Sequence, residues 1–189
     1  MDLFTYMEEE IYQLCLKNSK ENPFNHYLDF LKELKELTDE EWRLSQGPGW
    51  EFLHIVETTS MSKSYKMPIL LAFYNDGEIK MGITEEDVYQ SCKAFYEKDQ
   101  NWRDMEKDKN TRDFRSWDKK RYVSEARKNP VHFLKESGSG FFVDREGFVL
   151  ALKDDLKDVV TEPAFVQHMK DIIDYRTMNY YKQRYEKGE

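Results

Sequence analysis

Among the side chains of this sequence, Asp76, Glu78 and Lys80 come nearest to a catalytic arrangement. An acid followed by Glu-x-Lys on a strand is how many nucleases hold a divalent ion and orient a water, with the lysine offsetting charge that builds in the transition state. Here the spacing departs from that pattern. Asp76 falls inside the turn Asn75-Asp76-Gly77, and on a return strand Glu78 and Lys80 face outward together as ordinary solubilising residues. The eight glycines never take the spacing of a Walker loop or a dinucleotide-binding turn, so neither ATP hydrolysis nor nicotinamide binding is expected. There is no Gly-x-Ser-x-Gly elbow, and neither Cys15 nor Cys92 has the sequence context of a nucleophile. The two cysteines and four histidines (His26, His54, His132, His168) show no metal-ligand spacing. No catalytic residue, metal or cofactor is therefore assigned.

Binding is a different matter. Residues 98–128 hold eleven bases (Lys98, Arg103, Lys107, Lys109, Arg112, Arg115, Lys119, Lys120, Arg121, Arg127, Lys128) against seven acids. Lys119, Lys120 and Arg121 are consecutive, so on a helix they fan over about 200° and at least one must face solvent. Trp102 and Trp117 lie in the same stretch, where an indole could stack on an unpaired base. Lys63 and Lys66 flank Ser64 and Tyr65, residue types that suit phosphate contacts. Each group has a plainer alternative: tryptophans in the core, lysines paired with Asp104, Asp108, Asp113 and Asp118, and a solvated loop at 63–66.

The elements that would carry these residues read as follows. Two amphipathic helices are expected over 3–17 and 23–37, the second with Phe24, Tyr27, Leu28, Leu31, Leu34 and Leu37 on one stripe. Thr38 followed by Glu41 is a capping box, and Gly47-Pro48-Gly49 reads as the turn that ends its helix. Residues 50–57 and 68–74 read as strands, with Phe73 deep in the core of a first hairpin turning at Asn75-Asp76-Gly77 and returning over 78–83. A helix follows from Thr84 to about Lys98. Another spans 119–128, stopped by Asn129-Pro130, with a short helix beyond it. A second hairpin joins 141–143 to 148–150, then come a short helix over 153–160 and a long one from 162 to about 185. The fold class is thus α+β, mostly helical with two β-hairpins. The order helix, Asn-Pro turn, helix, hairpin over 119–150 is that of a winged-helix-like unit, which sets a helix against a duplex groove.

With 189 residues, the chain fits an acidic helical N-terminal segment, 1–49, and an α+β accessory domain, 50–189. Residues 1–41 hold eleven acids and four bases, and the whole chain carries a formal charge of −8. Aromatics at 15% supply much of the core volume of so polar a chain. No apolar run nears the roughly 18 residues of a membrane span, and the N-terminus lacks a signal peptide's pattern, so a cytoplasmic location with no membrane partner is expected. Two distant cysteines fit a reducing compartment.

Several phrases in order resemble the C-terminal region of bacterial DEAD/DEAH-box, restriction-type helicases, some of which carry a phospholipase-D-like nuclease domain at the front. These are Thr59-Ser60-Met61-Ser62-Lys63-Ser64-Tyr65-Lys66-Met67-Pro68-Ile69-Leu70-Leu71-Ala72-Phe73, Ser116-Trp117-Asp118, Asn129-Pro130-Val131-His132-Phe133-Leu134, and His168-Met169-Lys170-Asp171 followed by Tyr175-Arg176-Thr177. The similarity runs from about residue 50 to 185. It implies ATP-powered DNA or RNA transactions whose motor motifs lie elsewhere, so no catalytic residue carries over. The expectation is a non-catalytic accessory domain that binds DNA or RNA, or docks on a helicase motor domain in cis or in trans. The alternatives are a protein-protein interaction module and a metal-dependent nuclease. Salt-dependent DNA binding would separate the first from the second, and magnesium-dependent cleavage would single out the third.

Overall fold

In the computed structural model, the described residues are 22–23, 26–75, 77–98, 101–138 and 140–186. The expected helix over 3–17, along with Cys15, Phe24 and Asp76, lies outside them. The chain is α+β and mostly helical, with two small antiparallel sheets.

The N-terminal part builds α1 (Tyr27–Leu34), α2 (Asp39–Leu44) and α3 (Pro48–Thr58). Thr38 caps α2 as expected: its Oγ1 accepts the Glu41 N–H, and the Glu41 carboxylate accepts the Thr38 N–H at 2.8 Å. The strand expected over 50–57 is instead α3. Pro48 is not the end of a turn but the start of this helix, where a fixed φ and a missing N–H cost nothing. Phe52, Leu53 and Val56 then repeat at helical spacing and are buried.

The run at 68–74 is likewise not a strand. Residues Lys66–Leu71 form α4, and only Tyr74–Asn75 is extended, as β1. Met67, Pro68, Ile69 and Leu70 are all buried, and a helix apolar on every side looks the same in sequence as a doubly covered strand. Phe73 is fully buried, as expected, with its ring 6.2 Å from that of Phe142.

The segment expected as one return strand splits in two. β2 (Glu78–Ile79) pairs with β1, whereas β3 (Gly82–Ile83) crosses to a second sheet ordered β3-β5-β4, with β4 at Phe142–Val143 and β5 at Leu150–Leu152. Both turns use glycine at positive φ, Gly77 at 93° and Gly147 at 84°.

Between β3 and β4 lie α5 (Glu85–Glu97), α6 (Arg103–Lys107), a 3-10 turn (Phe114–Ser116), α7 (Lys119–Ala126) and α8 (His132–Ser137). Asn129-Pro130 does not stop α7. A π-helical turn, Arg127–Val131, joins α7 to α8 without a break, and Ala126, Val131 and His132 all keep helical torsions. Widening the turn is how a helix absorbs a ring that would clash with the carbonyl four residues back. The segment expected to be helical over 153–160 is a short 3-10 turn, Asp154–Leu156.

The last helix, α9 (Pro163–Glu186), packs on α2, α3 and α4. Phe52 on α3 meets Phe141, Phe142 and Phe165 at 5.7, 5.6 and 5.8 Å, which ties α3, the second hairpin and α9 into one core. Leu28 and Leu44 belong to the same core. Asn22 donates to the Tyr175 hydroxyl at 2.8 Å, and His168 on α9 meets Glu41 on α2 at 2.8 Å. No helix among the described residues is long and apolar enough to cross a membrane.

Cys92 sits on the buried side of α5, and burial pushes its thiol up to about 12. Because the thiolate is the reactive form, alkylation of Cys92 by iodoacetamide at pH 8 is expected to run at least about a hundredfold slower in the native chain than in urea. Mass spectrometry of the Cys92 peptide reads this separately from Cys15. Equal rates would mean that α5 does not bury the thiol.

Candidate nucleic-acid interface

The basic residues of 119–137 are placed by one continuous helical run. Asp118 caps it, its carboxylate accepting the Arg121 N–H at 2.8 Å. Tyr122, Val123, Ala126, Pro130, Val131 and Leu134 face the core. Lys120, Arg121 and Lys128 are exposed on the opposite side.

Lys119 and Arg127 reach across to α5, pairing with Glu86 at 3.1 Å and Glu85 at 3.4 Å. Arg121 and Lys128 share Glu125, at 3.4 and 3.1 Å. Among the described residues Lys120 has no such partner. Lys119 and Lys128 are thus held by glutamates, not by the four aspartates that the sequence offered. At the second hairpin, Lys135 pairs with Asp144 and Arg145 with Asp154. Phe148 lies flat on Gly82, where a Cβ would come within 2.6 Å of its ring. Phe133 on α8 is 45% exposed, a large apolar ring on the surface of this helical run.

Both tryptophans pack against the core. Trp117 meets the Tyr122 ring edge-on at 5.3 Å, donates its indole N–H to Asp113 at 2.9 Å and has the Arg121 guanidinium 5.2 Å from its ring. Trp102 has Arg115 and Arg103 at 5.6 and 6.0 Å. Trp117 therefore borders the basic face, with Arg121 as the link.

Residues 62–66 are a strap, not a solvated loop. Ser64 is fully buried, and its N–H donates to Asp104 at 2.8 Å. The Tyr180 hydroxyl donates to the same carboxylate at 2.8 Å, and the Ser64 and Tyr181 hydroxyls meet at 2.7 Å. Burial, then the neighbouring Asp104, pushes the Tyr180 hydroxyl far above its usual range.

Lys66 is buried and donates to Thr59 at 2.7 Å; burial and the nearby Arg176 hold its ammonium below the usual lysine range. That lysine is withdrawn from any surface. Lys63 remains at the rim, paired with Asp108 at 2.8 Å.

Lys80 is likewise engaged, on Asp87 at 2.6 Å, while Glu78 is exposed. Partial burial pushes Asp87 up, but hydrogen bonds from Lys80 and Thr84 outweigh it and hold the carboxyl below its usual range. Asp76 falls outside the described residues, so the three side chains of the nuclease-like pattern are not seen together.

Asp104 was named from sequence only as a lysine partner, and Tyr181 not at all, because the groups they meet lie 40 to 117 residues away. His26 and His54, apart in sequence, meet at the α1 and α3 contact. Comparison of the chain with family models, with curated proteins and with solved structures finds no match to any of them.

Proposed function

We propose that this chain is a non-catalytic nucleic-acid-binding module whose contact surface is the open side of the helical run 119–137, with the hairpin tip at 144–148 beside it. The observation that carries the reading is the juxtaposition of this run, through α8, with β4 of the sheet β3-β5-β4. The unbroken run lacks the turn between helices that a winged-helix unit has, but a strand ahead of it adds to the hairpin that follows, and the run presents six bases against two acids in a chain of charge −8. Its ion pairs do not close the surface. Exposed pairs contribute about 0–1 kcal/mol each, so a phosphate replaces Glu125 at little cost.

The resemblance to helicase tails fits a module that holds duplex or single strand for a motor supplied elsewhere. A second reading, docking on such a motor, is favoured by one feature. A groove of about 740 Å³ between α5 and α9 is lined by Leu71, Phe95 and Met178 together with Lys98, Lys170 and Lys182.

The test is charge reversal. Lys120→Glu with Lys128→Glu is expected to weaken duplex binding at least about tenfold for all sequences alike, and to flatten the salt slope by about 2. The same reversal at Lys35 and Arg43, both exposed near α1 and α2, should leave binding nearly unchanged. Equal losses from both variants would reduce the effect to net charge and sink the proposed surface.

A further inference from the structure

We propose that His26, Asp29 and His54 form a divalent transition-metal site, of zinc type, that clips α1 onto α3. The three residues offer ligand atoms that all lie within 4.8 Å of one another. Each helix supplies a pair at i and i+3, a spacing that puts both side chains on one face. His26 is the N-cap of α1 and Asp29 lies in its first turn; His54 and Glu57 lie on α3.

The Nδ1 atoms of His26 and His54 are 3.4 Å apart. That is about the edge of a tetrahedron drawn around an ion with metal–nitrogen bonds of 2.0–2.1 Å. The rings stack at 25° with centroids 5.0 Å apart, so a turn of each about its soft outer torsion converges the two lone pairs.

Two carboxyl groups stand beside the pair. Glu57, 8% exposed, has its Oε2 3.8 Å from His54 Nδ1, while its Oε1 accepts the Tyr27 N–H at 3.2 Å and so holds the start of α1 against α3. Asp29 adds a second carboxylate. Two imidazoles with a carboxylate suit zinc or its neighbours over calcium or magnesium, which take oxygen ligands. Three protein ligands leave one position for water or for Glu57.

The site is separate from the proposed nucleic-acid surface and does not depend on it. It went unnoticed in the sequence because the histidines are 28 residues apart, although His-x-x-Asp and His-x-x-Glu are both legible there.

The probe is cobalt(II), followed by its visible d–d spectrum on chelator-treated full chain and confirmed by zinc competition. One equivalent is expected to bind, with His26→Ala, His54→Ala and Asp29→Asn each weakening it at least about tenfold. His132→Ala and His168→Ala should bind as the unaltered chain does. Circular dichroism of each variant checks the fold, and Asp29→Asn, which alters only a partly exposed side chain, keeps the test valid if a histidine variant unfolds. A spectrum that survives Asp29→Asn and the His26, His54 changes unaltered, or that vanishes with His132 or His168, overturns the proposal. So does an unaltered chain that takes up no cobalt.

Discussion

Asp104→Ala is expected to cost about 3–5 kcal/mol, and to lower Tm by about 10 °C for a chain of this length. Asp104 is 3% exposed and accepts from the Ser64 N–H and the Tyr180 hydroxyl, at 2.8 Å each. Its own backbone carbonyl takes the Tyr65 hydroxyl at 3.2 Å. Truncation leaves the Ser64 N–H without an acceptor and the Tyr180 hydroxyl with only the longer contact to the Ser62 carbonyl at 3.3 Å, where a buried donor that loses its partner costs about 1–3 kcal/mol, and it opens a hole beside them. Asp104→Asn keeps one carbonyl oxygen in place and should cost clearly less. The pair of variants separates a hydrogen-bonding role from simple packing, because packing would penalise asparagine hardly at all. Thermal unfolding read by circular dichroism is sufficient. If Asp104→Ala melts with the unaltered protein, the strap at 62–66 is not held as described.

Phe52→Ala is expected to be as damaging, at about 3–5 kcal/mol. Phe52 is fully buried, and its ring packs against Phe141, Phe142 and Phe165, which come from two separate stretches of chain. No single neighbour can collapse into the space it leaves, so the cavity cost adds to the lost transfer energy. Denaturant titration should show a lower midpoint with an unchanged slope. A loss of stability under about 1 kcal/mol would place the centre of the core elsewhere.

Local signals in the sequence were read well wherever the physics is local. Thr38 and Thr84 begin helices, each as half of a capping box, Gly77 and Gly147 turn hairpins at positive φ, and α9 follows its apolar pattern. Misreadings arose where two structures share one pattern. The run 67–70 is apolar on all sides, which suits a buried strand and a buried helix equally, and Pro48 both follows a glycine turn and opens α3. Pro130 breaks a helix in most settings, yet here a π turn absorbs it.

The candidate surface was partly legible. Lys119, Lys120 and Arg121 do leave a cation facing solvent, but burial removes Lys66, and packing sets Trp102 and Trp117 against the core. Ser64 and its partners carry no local mark at all. A serine within Lys-Ser-Tyr-Lys looks like a phosphate contact until Asp104 and Tyr181, distant in sequence, fold over it.

The central claim is that exposed cations of the 119–137 run meet phosphates, and the salt dependence of binding tests it most directly. Affinity for a random-sequence DNA duplex is measured by fluorescence anisotropy between 50 and 200 mM salt. With about four phosphates neutralised, the log–log slope should be near −3.6, roughly a hundredfold loss of affinity over that range. Binding that is absent at 50 mM, or that ignores salt, would contradict the account.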